Sequence, residues 1–260
     1  QVGVFASLCN GSRATLINER LFLPKEWAQD KERCLKAGIP RQETVHKTKP
    51  QLALEMIQQA RQRGVRFGWV GADAGYATSL DFCISLSGMR ETFVVDCVSD
   101  QHIYRANPNP YVPKKKRGGR GRTPVCYVTD ETPIKIGNWA QSQPQQQWKR
   151  IAVREGTKGS VVYEYSRKQV WVWQRGSENA SLWWILIRRD PVTKKEYKYS
   201  LSNAPRDISL QRLAYMQGQR YWVERCFEDA KSECGMADYQ VRKWRGWHSH
   251  MILVMLAMLF

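Results

Sequence analysis

"PQLALEMIQQARQRGVRFGWVGADAGYATSLDFCISLSGMRETFVVDCV", residues 50–98, decides the fold class. Pro50 opens a helical stretch that carries Leu52, Leu54, Ile57 and Ala60, and Gly64 closes it. "FGWVGADAGY" then reads as a short buried strand running into a Gly-containing loop. "SLDFCISLSGMR" reads as a second helix and "ETFVVDCV" as a second buried strand. Helix, strand, helix and strand with short links predict an α/β layer with parallel pairing, because parallel neighbours need a crossover between them.

Upstream, residues 1–24 alternate apolar and polar side chains around Asn10-Gly11, a hairpin signal. Downstream the pattern changes. Pro and Gly become common from about residue 98, and "PKKKRGGRGRTP" occupies 113–124. Four β-type runs follow: "QWKRIAVRE", "SVVYEYSRKQVWVWQR", "SLWWILIRRD" and "KEYKYSLS", the last two joined by the turn "DPVTKKE". Helical periodicity returns at 207 in "DISLQRLAYMQGQRYWVERCFEDAKSEC", with Gly235 as its stop. The chain therefore divides into an α/β part over 1–97 and a helical part over 204–260, with a β-rich block over 98–203 that interrupts the α/β fold.

Composition narrows the partner. A formal charge of +17 over 260 residues favours a polyanion, and nucleic acid is the usual one. The seven Cys are scattered with no CxxC pair, and the four His do not join them at metal spacing, so the thiols read as reduced in a cytoplasm. The opening residues do not read as a signal peptide, and the terminal apolar run reads as too short to span a bilayer. Both ends read as cut, which predicts a piece of a longer protein. Trp171, Trp173, Trp183 and Trp184 read as β core rather than as a stacking platform, and Trp244, Trp247, His248 and His250 as packing for a final helix.

Asp73 directly follows the strand "FGWV", and the carboxyl end of a strand in an α/β sheet is where ligands and metals are held. A turn or cap role is equally open, since Asp-Ala-Gly is good turn chemistry. On the late helix, Arg220, Glu224, Phe227 and Lys231 share one face. Mixed charge at that spacing is ordinarily a solvated face. The flanking Tyr221, Trp222, Val223, Cys226 and Phe227 nevertheless predict that Glu224 is partly buried and in need of a partner or a metal. Glu228 and Asp229 read as acids that either support a neighbouring ligand or lie at the surface, and Asp30 as a helical, exposed one.

"GWVGADAGY", "QRYWVERCFEDAKSECG", "YQVRKWRGWHSH", "PKKKRGGRGR" and "REGTKG" resemble, in order and spacing, the catalytic half of bacterial insertion-sequence transposases of the DDE type. The resemblance is to the insertion sequence 4 / 701 type, whose late helix is marked by a Tyr-Arg-Glu-Lys signature. Arg220, Glu224 and Lys231 match its last three positions. The Tyr position is Gln217 here, with Tyr215 two residues earlier.

The resemblance implies an RNase H-like mixed sheet with flanking helices and a β-rich insertion. Asp73 and Glu224 would then be two of three metal-binding carboxylates. The family's first Asp sits on a strand before the opening hairpin, and no residue of this chain matches it.

Three carboxylates would hold two Mg²⁺ ions, or Mn²⁺ in their place, about 4 Å apart around a phosphodiester. Arg220 and Lys231 would meet phosphate oxygens. So would Lys114, Lys115, Lys116, Arg117, Arg120 and Arg122 of the basic loop. The implied activity is cutting of transposon ends and strand transfer into target DNA. The implied assembly is a homodimer on double-stranded terminal repeats, in the bacterial cytoplasm beside the nucleoid. A DNA-binding remnant without catalysis and an RNase H-like nuclease without transfer are the alternatives.

Overall fold

The computed structural model of the chain describes residues 2–115, 122–157 and 159–259. They begin with a hairpin of β1 (Val2–Asn10) and β2 (Arg13–Phe22), then helices α1 (Lys25–Gln29), α2 (Lys31–Ala37) and α3 (Lys49–Gln62). Next come β3 (Val70–Ala72), α4 (Asp81–Gly88), β4 (Phe93–Cys97), β5 (His102–Ile103), β6 (Ile134–Lys135) and α5 (Ile136–Gln141). Strands β7 (Lys149–Gly156), β8 (Gly159–Val172), β9 (Ser181–Arg189) and β10 (Lys198–Ser202) follow. Helices α6 (Leu210–Gly218), α7 (Arg220–Ser232) and α8 (Trp244–Ala257) complete the order. The chain falls into two compact units, Gln1–Gly68 with Gln219–Phe260, and Trp69–Gly218.

In the first unit the hairpin forms one residue later than its Asn-Gly pair suggests. Asn10 pairs with Arg13, so Gly11 and Ser12 make the turn, and Gly11 supplies the positive φ of +60° at its first central position. Helix α3 is started by a capping box between Thr48 and Gln51, with Pro50 in its first turn, and Gly64 at φ +77° terminates it. Leu16 of β2 packs with Cys226 and Ala230 of α7 and Val254 of α8. Phe5 and Phe227 meet edge to face at 5.5 Å between ring centroids beside that cluster. A second cluster gathers Leu23, Cys34 and Ile39 under Trp27 and Trp244.

The second unit is built on a six-stranded sheet in the order β3-β4-β10-β9-β8-β7. Strands β3 and β4 are parallel with α4 between them in sequence, as the helix-strand alternation requires. All other neighbours are antiparallel. Strands β7 to β10, which lie within 98–203, continue the sheet that β3 and β4 begin. All five residues of β4 are buried. One face of the sheet, carrying Val94, Tyr165, Trp184 and Leu186, is covered by Leu213, Ala214 and Met216 of α6. Trp183 packs edge to face on Phe93 at 5.1 Å, and Trp173, Trp183 and Trp184 are buried, so these rings are core.

The single helix expected from 207 is divided at Gln219 into α6 and α7. Gly218, a poor helix former, ends the first piece. Its missing side chain matters, because a Cβ there would meet Val153 of β7 at 3.3 Å. At the far end Gly235, at φ +70°, stops α7 as expected, and the Met236 N–H returns to the Ala230 carbonyl at 2.9 Å.

Candidate active site

Asp73 stands at the carboxyl end of β3, one residue past the pairing of Ala72 with Val95. It is exposed, and its backbone is extended at φ −80° and ψ 174°. Its Oδ1 accepts the Gly75 N–H at 2.8 Å and caps the 3-10 turn Ala74–Ala77. A side chain at Gly75 would bring a Cβ to 3.0 Å from that oxygen. The turn role and the strand-end position therefore coexist in one residue. Burial, together with the Asp73 charge, pushes the Tyr76 phenol up to about 12, so Tyr76 stays neutral beside the carboxylate.

Glu224 is not partly buried. Its side chain is 60% exposed. The expectation failed because residues one or two apart in sequence point to different sides of a helix. Cys226 and Ala230 face the core. Glu224 lies roughly 160° round from Cys226 at 3.6 residues per turn. Of the ring-bearing neighbours on its own face, Phe227 tips into the Leu16 cluster and Tyr221 is itself exposed.

Arg220 and Glu224 are brought together one turn apart, with Nη2 2.6 Å from Oε1. Arg220 is the less exposed partner, at 24%. Lys231, two turns on, is exposed and has no ion-pair partner among the described residues. Arg225 ties down Glu228 at 3.0 Å and Asp229 at 3.2 Å on another side of the helix, which makes those acids a surface network. Asp30 caps α2 by accepting the Arg33 N–H at 2.9 Å and is exposed, so it has an ordinary structural task.

Lys114, Lys115 and Arg122 of the basic stretch are exposed. Lys116, Arg117 and Arg120 lie outside the described residues. Asp73 belongs to the unit Trp69–Gly218 and Glu224 to the other. Both carboxylates are hard oxygen donors of the kind Mg²⁺ takes. Among the described residues, however, no three His, Cys, Asp or Glu side chains gather closely enough to hold a metal ion.

Sequence reasoning missed a buried polar chain inside the second unit. Gln217 Nε2 donates to Ser200 Oγ at 2.7 Å, and Ser200 Oγ donates to Asp96 Oδ1 at 2.6 Å. Lys198 Nζ sits 2.9 Å from Asp96 Oδ2. Gln217 and Asp96 are 3% and 6% exposed. This is the work of the residue at the signature's Tyr position: it anchors the end of α6 to strand β10, the neighbour of β4. The departure from the signature was its only trace in the sequence.

A second missed pair, in the first unit, joins Glu19 of β2 to His248 of α8 at 2.5 Å, with the His248 ring against those of Trp244 and Trp247.

A family model for DDE superfamily endonucleases matches residues 1–160. The chain belongs to that family, a class of metal-using nucleases and transposases that act on DNA. The mixed sheet with its helices is compatible with the RNase H-like fold. The matched stretch contains Asp73 and ends before α7, so Glu224 rests on the helix signature alone. Among curated proteins none matches the chain. Among the described residues no helix is long and apolar enough to cross a membrane.

Proposed function

We propose that the chain is the catalytic part of a DNA transposase of the insertion sequence 4 / 701 type. It cuts phosphodiester bonds at transposon ends and joins the freed ends to target DNA. Residues 1–97 and 204–260 form the catalytic core in this reading, and 98–203 the β-rich insertion. The observation that carries it is the family match over Asp73, joined to the Arg220-Glu224-Lys231 spacing on one helix.

In this reading Asp73 and Glu224 would each supply carboxylate oxygens to divalent metal ions. Bound there, Mg²⁺ or Mn²⁺ would lower the pKa of an attacking water and neutralise the leaving oxygen. The work of the remaining residues follows from their charge. Arg220 holds Glu224 by an exposed ion pair, which contributes little stability and exchanges readily. A phosphate meeting Arg220 would find a fork of donors in the guanidinium, and Glu224 would then be free to serve as a metal ligand. Lys231 adds a point charge further along the helix, and Lys114, Lys115 and Arg122 track the backbone with salt-sensitive affinity. A homodimer holding paired terminal repeats completes the assembly.

The test is Mg²⁺-dependent cleavage and joining on the element's own terminal repeats, comparing parent, Asp73→Asn and Glu224→Gln. Loss in both variants is expected. Unchanged activity in both would overturn the assignment, and cleavage without joining would make the protein a nuclease only.

A further inference from the structure

In the first unit the hairpin and α7 bring cysteines from distant parts of the chain together. Cys9 lies near the end of β1, Cys226 in the middle of α7 and Cys234 just past the end of that helix. Cys226 and Cys234 both pack in the cluster around Leu16. Ser7 is two residues before Cys9, and so on the same face of β1. Its Oγ lies 3.6 Å from Cys9 Sγ and 3.7 Å from Cys226 Sγ. The two sulfurs therefore flank one oxygen. The Thr15 carbonyl, 3.1 Å from the same oxygen, anchors it to β2.

Cys9 and Cys226 are both free thiols, and they differ in access. Cys9 is half-buried, whereas Cys226 is 2% exposed. An oxidant from solvent meets Cys9 first and leaves Cys226 to react from within. Burial pushes both thiols up, and the Ser7 hydrogen bond opposes it. Thiolate is therefore scarce at neutral pH, which keeps the pair quiet toward brief exposure. Cys83 and Cys97 of the second unit also lie near each other, but both are buried, so neither meets the oxidant first.

We propose that Cys9 and Cys226 are a redox-sensitive pair, which a peroxide converts into a disulfide that staples β1 to α7. The Cys9 thiolate attacks one peroxide oxygen. The O–O bond breaks, and the departing hydroxide takes up the proton the thiol had given and leaves as water. Cys9 becomes a sulfenic acid. The Cys226 sulfur then attacks the Cys9 sulfur, so that the S–S bond forms and the S–O bond breaks. The second hydroxide leaves with the Cys226 proton as water. Two thiols give up two electrons, and the peroxide accepts them. Ser7 keeps its Thr15 carbonyl when the sulfurs close past it. Cys226 faces the core side of α7, so the staple leaves Arg220, Glu224 and Lys231 on the outer side. Oxidation of this pair is independent of whether the chain cuts DNA.

The experiment treats the folded full chain with hydrogen peroxide, blocks the remaining thiols and digests the monomer without reduction. A peptide joining Cys9 to Cys226 should be the main linked product, and dithiothreitol should split it. Raising the pH from about 7 to about 8 should speed its formation about tenfold, as the thiolate fraction rises by that factor. The oxidised monomer should melt about 5–10 °C higher than the same sample after dithiothreitol, because the staple closes a long loop of the unfolded chain. That comparison leaves any oxidised methionine unchanged on both sides. Cys9→Ser, at a half-buried position, should abolish both the linked peptide and the shift, with circular dichroism confirming the fold.

Folded, oxidised monomer without a Cys9–Cys226 peptide would overturn the proposal, as would Cys226 linked to Cys234 instead. A link that leaves the melting temperature unchanged or lower would overturn the stapling of α7.

Discussion

Glu224→Gln separates a metal-binding carboxylate from a salt-bridged surface residue. The substitution keeps the shape of the side chain and removes its charge. In the folded protein that charge is paired with Arg220 at 2.6 Å, and the side chain is 60% exposed. Exposed pairs one helical turn apart contribute roughly 0.3–0.5 kcal/mol. A loss of about 1 kcal/mol lowers the melting temperature of a domain this size by about 2–4 °C, so the variant should melt within about 2 °C of the parent.

Catalysis should respond on another scale. Residues that merely orient a metal's ligands cost about 10–100-fold when removed, so loss of a ligand itself should cost at least about a hundredfold in cleavage rate. DNA affinity should hold or rise slightly, because a negative charge has left a basic surface and Arg220 is released toward phosphate. The assays are single-turnover cleavage with Mg²⁺, a thermal melt, and a binding titration on the same DNA. Cleavage within about threefold of the parent would refute the role given to Glu224. So would a melting temperature lowered by more than about 4 °C, which would mean that Glu224 is structural.

Glu164→Gln should do the reverse and cost stability of about 3–5 kcal/mol, because it strands Arg189, 9% exposed and 2.8 Å away, without its counter-charge. Burial alone would raise the Glu164 carboxyl, but hydrogen bonds and charge from Lys194 and Arg189 hold it below the ordinary value of 4.5. The gap between parent and variant should therefore be full above about pH 4.5 and close as pH falls through the depressed folded value, in denaturant melts run across that range. Asp73→Asn should bring the Tyr76 phenol down from about 12, read by ultraviolet titration, since part of that shift is the Asp73 charge. Neutralising Lys114, Lys115 and Arg122 together should lower the slope of log affinity against log salt by up to about 3, one for each phosphate that no longer meets a cation, and a slope that does not change would remove them from the DNA interface. Ser200→Ala should destabilise the second unit by about 1–3 kcal/mol, measured in a denaturant melt, by leaving the Gln217 amide and the Asp96 carboxylate each short of a buried partner.

Local signals were legible because local chemistry makes them. The Pro50 start of α3, the Gly64 and Gly235 stops, and the buried strand Phe93–Cys97 are each decided within one turn or one strand. So is the parallel pairing of β3 with β4, which the intervening helix requires. The Asp73 position at a strand end and the Arg220-Glu224 spacing on one helix belong to the same group, since both follow from backbone period alone.

The remaining features needed the tertiary structure, because each depends on residues far apart in the chain. Apolar neighbours in sequence suggested burial for Glu224, yet the side of α7 that meets β2 was fixed by Leu16, at the other end of the chain. Strand β10 lies between β4 and β9, an order no periodicity encodes. Only that order puts Ser200 beside Asp96 and within reach of Gln217. A one-dimensional pattern states which face of an element is apolar. Which partner covers that face, and so which charges are left at the surface, is decided by packing in three dimensions.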